Sequence, residues 1–181
     1  DTLAVPSTLD GVARDKPWEG RVGKKPWEYE VTAVIPHCAT PDLLRLCIAF
    51  LRAQSIPIYI VVVDTGTPER LLPNLLCQRD IDVEIHCCHP HGTKHSAERV
   101  AMAMDFGQAV VQTRYMLAVH SDCLITNREL VKSWIDTGEP CIGYRSIPRD
   151  YCDFWKSMVS HTLTLLDMRT IDKHNVTWGI R

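Results

Sequence analysis

An apolar run, Tyr115-Met116-Leu117-Ala118-Val119, breaks directly into His120-Ser121-Asp122. In an extended chain residues i and i+2 point to one face. His120 and Asp122 are therefore placed to address one ligand, with Ser121 turned away. The other apolar runs also end in residues that can do chemistry. The first ends in Pro36-His37-Cys38, the second in Asp64-Thr65-Gly66-Thr67, and the third in His86-Cys87-Cys88-His89-Pro90-His91-Gly92-Thr93-Lys94. In an open parallel sheet, ligands bind outside the carboxyl ends of the strands. These ends would share one rim that collects acids, histidines and a lysine. Neither GxGxxG nor GxxxxGK[ST] occurs, which excludes a Rossmann dinucleotide site and a P-loop.

The elements that must carry this rim follow from periodicity. Residues 31–36 form a short strand rich in β-branched side chains. Thr40 is placed to cap a helix, with Pro41 at its first position and Asp42 in its first turn. That helix turns Leu43, Leu44, Cys47, Ile48 and Leu51 inward. Pro57 opens a strand over 58–63, whose unbroken apolarity predicts burial on both faces. A shorter helix is expected over 69–77 and a third strand over 82–87. A helix over 96–113 is expected to bury Val100, Ala101, Met104, Ala109 and Val110. A fourth strand spans 114–119. Asn127 caps a further helix, with Glu129 near its start and Trp134 on its apolar side. The order βαβαβαβα predicts a doubly wound α/β fold with a mostly parallel sheet. Beyond Gly138 the pattern loosens: a strand over 141–144, a helix over 154–166 and a last strand over 176–180.

Residues 1–30 read as a polar arm. Lys16-Pro17-Trp18-Glu19 is echoed by Lys25-Pro26-Trp27-Glu28. Two exposed tryptophans would be unusual, so the arm is expected to lie against the domain, as cover or as a partner-binding segment.

The totals fit one domain with one sizeable core: 181 residues, 45% hydrophobic and 23% charged. A formal net charge of −2 and the lack of a Lys/Arg run argue against nucleic acid as a partner. No run approaches the ~18 apolar residues of a membrane span. No basic-then-apolar signal opens the chain. It begins at Asp1, so a removed leader stays compatible with it. The eight cysteines are scattered without a CxxC pair. Most sit in apolar surroundings, which favours reduced thiols in a cytoplasmic protein over a secreted disulfide scaffold.

The stretch TAVIPHCATPDLLRLCIAFLRAQ followed by IYIVVVDTGTPE resembles the opening of a GT-A glycosyltransferase of the family 2-like group. There a strand ends in Ile-Pro and the next strand ends in an Asp before a small-residue turn. HGTKHSAERVAMAMDFGQAVVQTRYMLAVHSD resembles the group's next block, an Ala-rich helix and a strand ending in Asp-x-Asp. The resemblance covers about residues 31–130 and, more weakly, the tail. It implies a single GT-A domain over 31–181, with a nucleotide-binding half at 31–137 and an acceptor-side half at 138–181. It implies that Pro36 lines a nucleotide pocket, that Asp64 accepts hydrogen bonds from base or ribose, and that Lys94 and Arg99 lie on the donor side. His120 and Asp122 match the first and last positions of Asp-x-Asp, whose last Asp holds a divalent metal, Mn²⁺ or Mg²⁺.

The chemistry accounts for these residue types. Breaking a sugar–phosphate bond leaves negative charge on a nucleoside diphosphate, and a cation or a basic clamp stabilises it. His120 departs from the family's Asp. Imidazole suits Zn, Cu or Fe better than Mn or Mg, so His120 either alters the metal requirement or hydrogen-bonds the ribose. A third ligand would come from downstream, and His161 is the candidate; the alternative for it is a capped or core histidine. For Asp64 and Asp122 the alternative is a turn-forming role, and for Lys94 and Arg99 a solvated helix end. Asp150, Asp153 and Asp167 are the candidate catalytic bases in the tail.

The cluster at 86–91 does not predict zinc: such sites want ligand pairs two to four residues apart with a second pair elsewhere, and adjacent Cys87 and Cys88 on a strand point to opposite faces. A cysteine nucleophile lacks an acidic orienter. The expected function is transfer of a sugar from a nucleotide-diphosphate donor to a saccharide, lipid or protein acceptor. The domain is short for the family, so the acceptor part is either reduced or completed by a second subunit in a homo-oligomer. The rival is a glycosyltransferase-like binding domain without catalysis. A nucleotidyltransferase is a third reading, against which stands the missing Gly-rich, Lys/Arg-bearing opening loop.

Overall fold

The computed structural model describes residues 24–88, 96–143, 162–170 and Trp178. Six strands form one mixed sheet: β1 (Val31–His37), β2 (Ile58–Asp64), β3 (Val83–Cys87), β4 (Tyr115–Val119), β5 (Cys141–Gly143) and β6 (Leu163–Asp167). Their order across the sheet is β3-β2-β1-β4-β6-β5. The β1–β2, β2–β3 and β1–β4 pairs are parallel, and β6 runs antiparallel to both β4 and β5. The helices are α1 (Pro41–Arg52), α2 (Leu72–Leu76), α3 (Ser96–Val110) and α4 (Leu130–Asp136), with a 3-10 turn at Glu69–Leu71 leading into α2.

All seven residues of β1 and all seven of β2 are buried. Such strands need cover on both faces, and the helices supply it. On one face α1 packs Leu44, Cys47, Ile48 and Leu51 against Ala33, Ile35, Ile60 and Val62, joined by Val131 of α4. On the other face α3 places Ala103 and Met104 against Val61, Val63, Val34 and Ala118. Burying each aliphatic side chain contributes roughly 1.5–3 kcal/mol, so this sandwiched centre dominates the stabilisation.

Several expectations shift. Leu43 is exposed, because the buried stripe of α1 runs through Leu44, Cys47, Ile48 and Leu51. Helix α3 ends at Val110. Met104 is buried as expected and Val100 and Val110 pack half-buried against the core, but Ala109 is exposed, and Ala103 and Gly107 are buried with Met104. The reason is a close approach: a Cβ built on Gly107 would stand 2.2 Å from Val34 Cγ1. The helix meets the sheet through its smallest residues, and an Ala-rich sequence hides that phase.

The helix expected over 154–166 is contradicted at its end. Leu163–Asp167 is a buried strand between β4 and β5. A five-residue apolar run fits a doubly covered strand and a buried helix equally well. Residues 154–161, and the strand expected over 176–180 apart from Trp178, lie outside the described residues. Trp178 rests on α3, where its amide and indole N–H donate to Asp105 Oδ1 and Gln108 Oε1, each at 2.7 Å.

At the described end of the arm, Trp27 is 57% exposed and Lys25 lies over its ring. The anchor is Tyr29, buried and tilted at 54° against Tyr59 with ring centroids 5.5 Å apart. Trp18 lies outside the described residues. At the opposite end of the sheet from the candidate rim, Arg52 of α1 pairs with Asp80 and Asp82, tying that helix to the start of β3.

Replacing Gly107 with Ala is expected to lower stability by about 1–3 kcal/mol, the usual range for overpacking a tight contact. Urea midpoints of the two proteins check it. An unchanged midpoint would mean that α3 does not rest on Val34 at this distance.

Candidate functional site

The carboxyl ends of β1 and β2 stop in register, with His37 opposite Asp64. Both are buried, His37 to 1% exposure and Asp64 to 0%. Asp64 receives the Thr67 amide on both carboxylate oxygens, at 3.3 and 3.2 Å, and the Thr67 hydroxyl on Oδ1. This is the turn in which an Asp binds the backbone a few residues ahead. The Thr67 oxygen also accepts the Ala39 amide at 3.0 Å. The Thr65 amide and hydroxyl both donate to the His37 carbonyl, at 2.9 and 3.1 Å. Cys88 N–H donates to the Asp64 carbonyl at 2.7 Å. The exits of β1, β2 and β3 are thus laced together, and Ala39 accepts a φ of 60° within the β1 exit.

Arg99, in the first turn of α3, reaches this rim. Gly66 has a φ of +151°, and a Cβ built there would lie 3.4 Å from Arg99 Nη1 and 3.9 Å from Cys38 Sγ. A side chain at Gly66 would be strained and would press on the guanidinium. Between these parts opens a pocket of about 300 Å³, lined by Pro36, His37, Cys38, Thr65, Ser96, Arg99 and Val100. That volume is at the small end for a ligand site.

The turn after β4 differs from its expected geometry. The strand stops at Val119, and the Cys123 amide closes a turn onto the His120 carbonyl at 2.9 Å. The alternation of an extended chain therefore does not continue through it. Ser121 is buried, His120 is partly buried and Asp122 is exposed. The His120 amide donates to Thr162 O at 3.0 Å, and the Cys47 thiol lies 3.7 Å from the His120 carbonyl, holding the turn to α1. Burial, with the nearby Cys123 and Asp122, pushes the Cys47 thiol up to about 12. At that value it stays a protonated, inert packing group.

The structure brings Pro36 and Arg99 together at one pocket, with Asp64 in the adjoining turn. Lys94, Asp150, Asp153 and His161 lie outside the described residues. Among the described residues no group of three or more His, Cys, Asp and Glu could hold a metal. His120 and Asp122 share one turn, the histidine partly buried and the aspartate exposed.

Asp167 stands elsewhere. It pairs in register with Tyr115, the first residue of β4, and so lies at the end of the sheet away from the rim. Arg169 Nη2 and Nε donate to its carboxylate at 2.7 and 3.1 Å, and Arg114 adds a weaker contact at 3.4 Å. The hydrogen bonds from Arg169 hold Asp167 down at about 2. Its expected role as a base is set aside, because a carboxylate clamped by two arginines far from the rim is a structural ion pair.

Sequence reasoning passed over Thr65, Thr67 and His37 as organisers of the site. A signal was present in Asp64-Thr65-Gly66-Thr67, an Asp with a hydroxyl three residues on.

No family model and no curated protein matches this chain. Solved structures do. The mannosyltransferase PcManGT from Pyrobaculum calidifontis, in complex with GDP-Man and Mn²⁺, is 14% identical with a TM-score of 0.61, over 88% of this chain and 50% of its own. TarS 1-349 from S. aureus, in complex with UDP, is 14% identical with a TM-score of 0.61, over 82% and 49%. The 4-diphosphocytidyl-2C-methyl-D-erythritol synthase from Anaerococcus prevotii is 12% identical with a TM-score of 0.52, over 84% and 78%. The fold is GT-A-like, that of nucleotide-diphospho-sugar transferases. The chain spans about half the length of the glycosyltransferases just named. Among the described residues no helix is long and apolar enough to cross a membrane.

Replacing Asp167 with Asn is expected to destabilise the protein at neutral pH. The native carboxyl lies below its ordinary 3.8. The parent's advantage is therefore full above that value and fades as pH falls towards 2. Urea midpoints at neutral and strongly acid pH should converge, and a constant gap would remove the ion pair as its source.

Proposed function

We propose that this chain is the donor-binding part of a glycosyltransferase that takes a nucleotide-diphospho-sugar and passes the sugar to a saccharide, lipid or protein acceptor. One observation carries the reading: Pro36, Arg99 and the Thr67-braced Asp64 converge at the carboxyl rim of a GT-A-like sheet. Asp64 would accept hydrogen bonds from base or ribose, and Arg99, with Lys94, would meet the anionic side of the donor. His120 and Asp122 would hold a divalent cation, with His161 as third ligand. When bound, that cation would neutralise charge on the leaving diphosphate. Asp150 or Asp153 would supply the base. The domain would span 31–181 as two functional halves, with residues 1–30 as an arm, and the acceptor side would be completed by further chain or by a second subunit. The scattered thiols, free where described, favour a cytoplasmic setting.

A second reading, a nucleotide- or glycan-binding domain without catalysis, is favoured by His120 in place of an acid. Hydrolysis of the donor without acceptor separates the two, since a pure binder would leave the donor intact. The nucleotidyltransferase reading keeps some support from the synthase, more of whose own length is matched. Against it stands the lack of a Gly-rich basic opening loop.

The first experiment is a thermal-shift screen with UDP, GDP, CDP and dTDP, each with and without Mn²⁺. A ligand at ~100 times its Kd adds about 2.7 kcal/mol, which raises Tm by several degrees at this size. One nucleotide should act, more strongly with metal, and Asp64→Ala and Asp122→Ala should abolish the effect in folded protein. No shift with any nucleotide sinks the donor-site reading.

A further inference from the structure

His37 is a residue of this site whose ring the described structure leaves unsatisfied. It is 1% exposed, and among the described residues neither Nδ1 nor Nε2 has a hydrogen-bond partner. Its carbonyl, by contrast, takes both Thr65 donors, which fixes the residue in place. It stands in register opposite Asp64, without a hydrogen bond between the side chains, and it lines the pocket. A buried polar group without a partner calls for an explanation in terms of strain, function or a ligand.

Among the described residues, the charged and titratable groups on the elements around it are these. Asp64 is on β2 and Cys87 ends β3, Arg99 of α3 shares the pocket, and Cys38 follows His37 in the chain. His120 and Asp122 follow β4, the other neighbour of β1. Asp64 is the group whose charge reaches the imidazole. Burial lowers the histidine from its ordinary 6.5, against the opposing pull of Asp64. At neutral pH the ring is therefore uncharged, with one donor and one acceptor.

We propose that His37 is a proton-controlled positioning residue for Asp64: with a neutral ring the Asp64 carboxylate serves the ligand, and with a charged ring it is held in an ion pair and the site closes. This rests on the donor-site reading and adds acid regulation to it. The step is addition of one solvent proton to one ring nitrogen, with no other bond made or broken. The imidazolium carries two N–H donors and a full charge beside a buried acid. It would draw the Asp64 carboxylate away from Thr67, and so out of the turn that adjoins the pocket. A ligand that uses this carboxylate binds the neutral form, so lowering the pH weakens binding.

The test follows the ring and the ligand separately. Imidazole ¹⁵N and Asp64 carboxyl ¹³C shifts are recorded on the free protein from roughly pH 8 to 4.5, above most of the ordinary carboxylate titration. UDP and GDP affinities with Mn²⁺ are measured over the same range, in the parent and in His37→Asn. The Asp64 carboxyl should respond at the pH where the His37 ring titrates. Affinity should fall by up to about tenfold per pH unit below that point, and His37→Asn should remove this step whatever its affinity at neutral pH. His37→Gln gives a second uncharged variant if the first does not fold. A ring that stays neutral until the protein unfolds overturns the proposal. So does a carboxyl that ignores the ring, or a pH step that survives in the variants. Coupled titration without any nucleotide binding would uphold the switch and overturn the donor-site reading instead.

Discussion

Everything in this molecule depends on two adjacent parallel strands buried on both faces. β1 and β2 have no solvent side, so helices must cover them twice: α1 and α4 on one face, α3 on the other. Parallel strands also start and stop together. Once Val31 is aligned with Ile58, His37 must arrive opposite Asp64. The site is in this sense a consequence of register: the core fixes where the polar residues fall, and a shift of one residue would turn each side chain to the opposite face.

The rim then solves a problem that the core creates. Strands ending deep under helices leave backbone groups in need of partners. Thr65 and Thr67 supply them, one bonding to the His37 carbonyl and the other linking Asp64 to the Ala39 amide. The same bonds that satisfy the chain hold Asp64 in one orientation. Gly66 leaves room for the Arg99 guanidinium beside the exit of β2. A rim built this way is tightly laced through backbone hydrogen bonds. Among the described residues the ring of His37 stands apart, a polar group that its neighbours hold but do not satisfy.

The two ends of the sheet divide the carboxylates by role. At one end Asp167 and Asp82 are closed off by arginines, as ion pairs that fasten strands and helices. At the other end the Thr67 amide and hydroxyl donate to Asp64, and Asp122 is exposed. Composition alone cannot sort these acids. Asp64 and Asp167 both end a buried apolar strand, and only the direction of the strand says which rim each one reaches. β6 runs against β4, so its carboxyl end lies with the start of the parallel strands.

The sequence by itself determined the sheet's central strands, the helices between them and the rim formed by the strands' carboxyl ends. These rest on local periodicity and on β-branched runs that have few other uses. Asp64 and Arg99 as members of that rim were legible from their places after β2 and at the start of α3. The tertiary structure alone decided the phase of α3, where Gly107 and not a large apolar residue meets the sheet, and the identity of β6, whose short apolar run fits helix or strand equally. It alone showed that His120 and Asp122 occupy a turn and not a strand end. It alone gave Thr67 and His37 their places, because both act through contacts across the β1–β2 gap. Local pattern reports which face of an element is apolar; what that face meets, and at what distance, is set by segments far away in the chain.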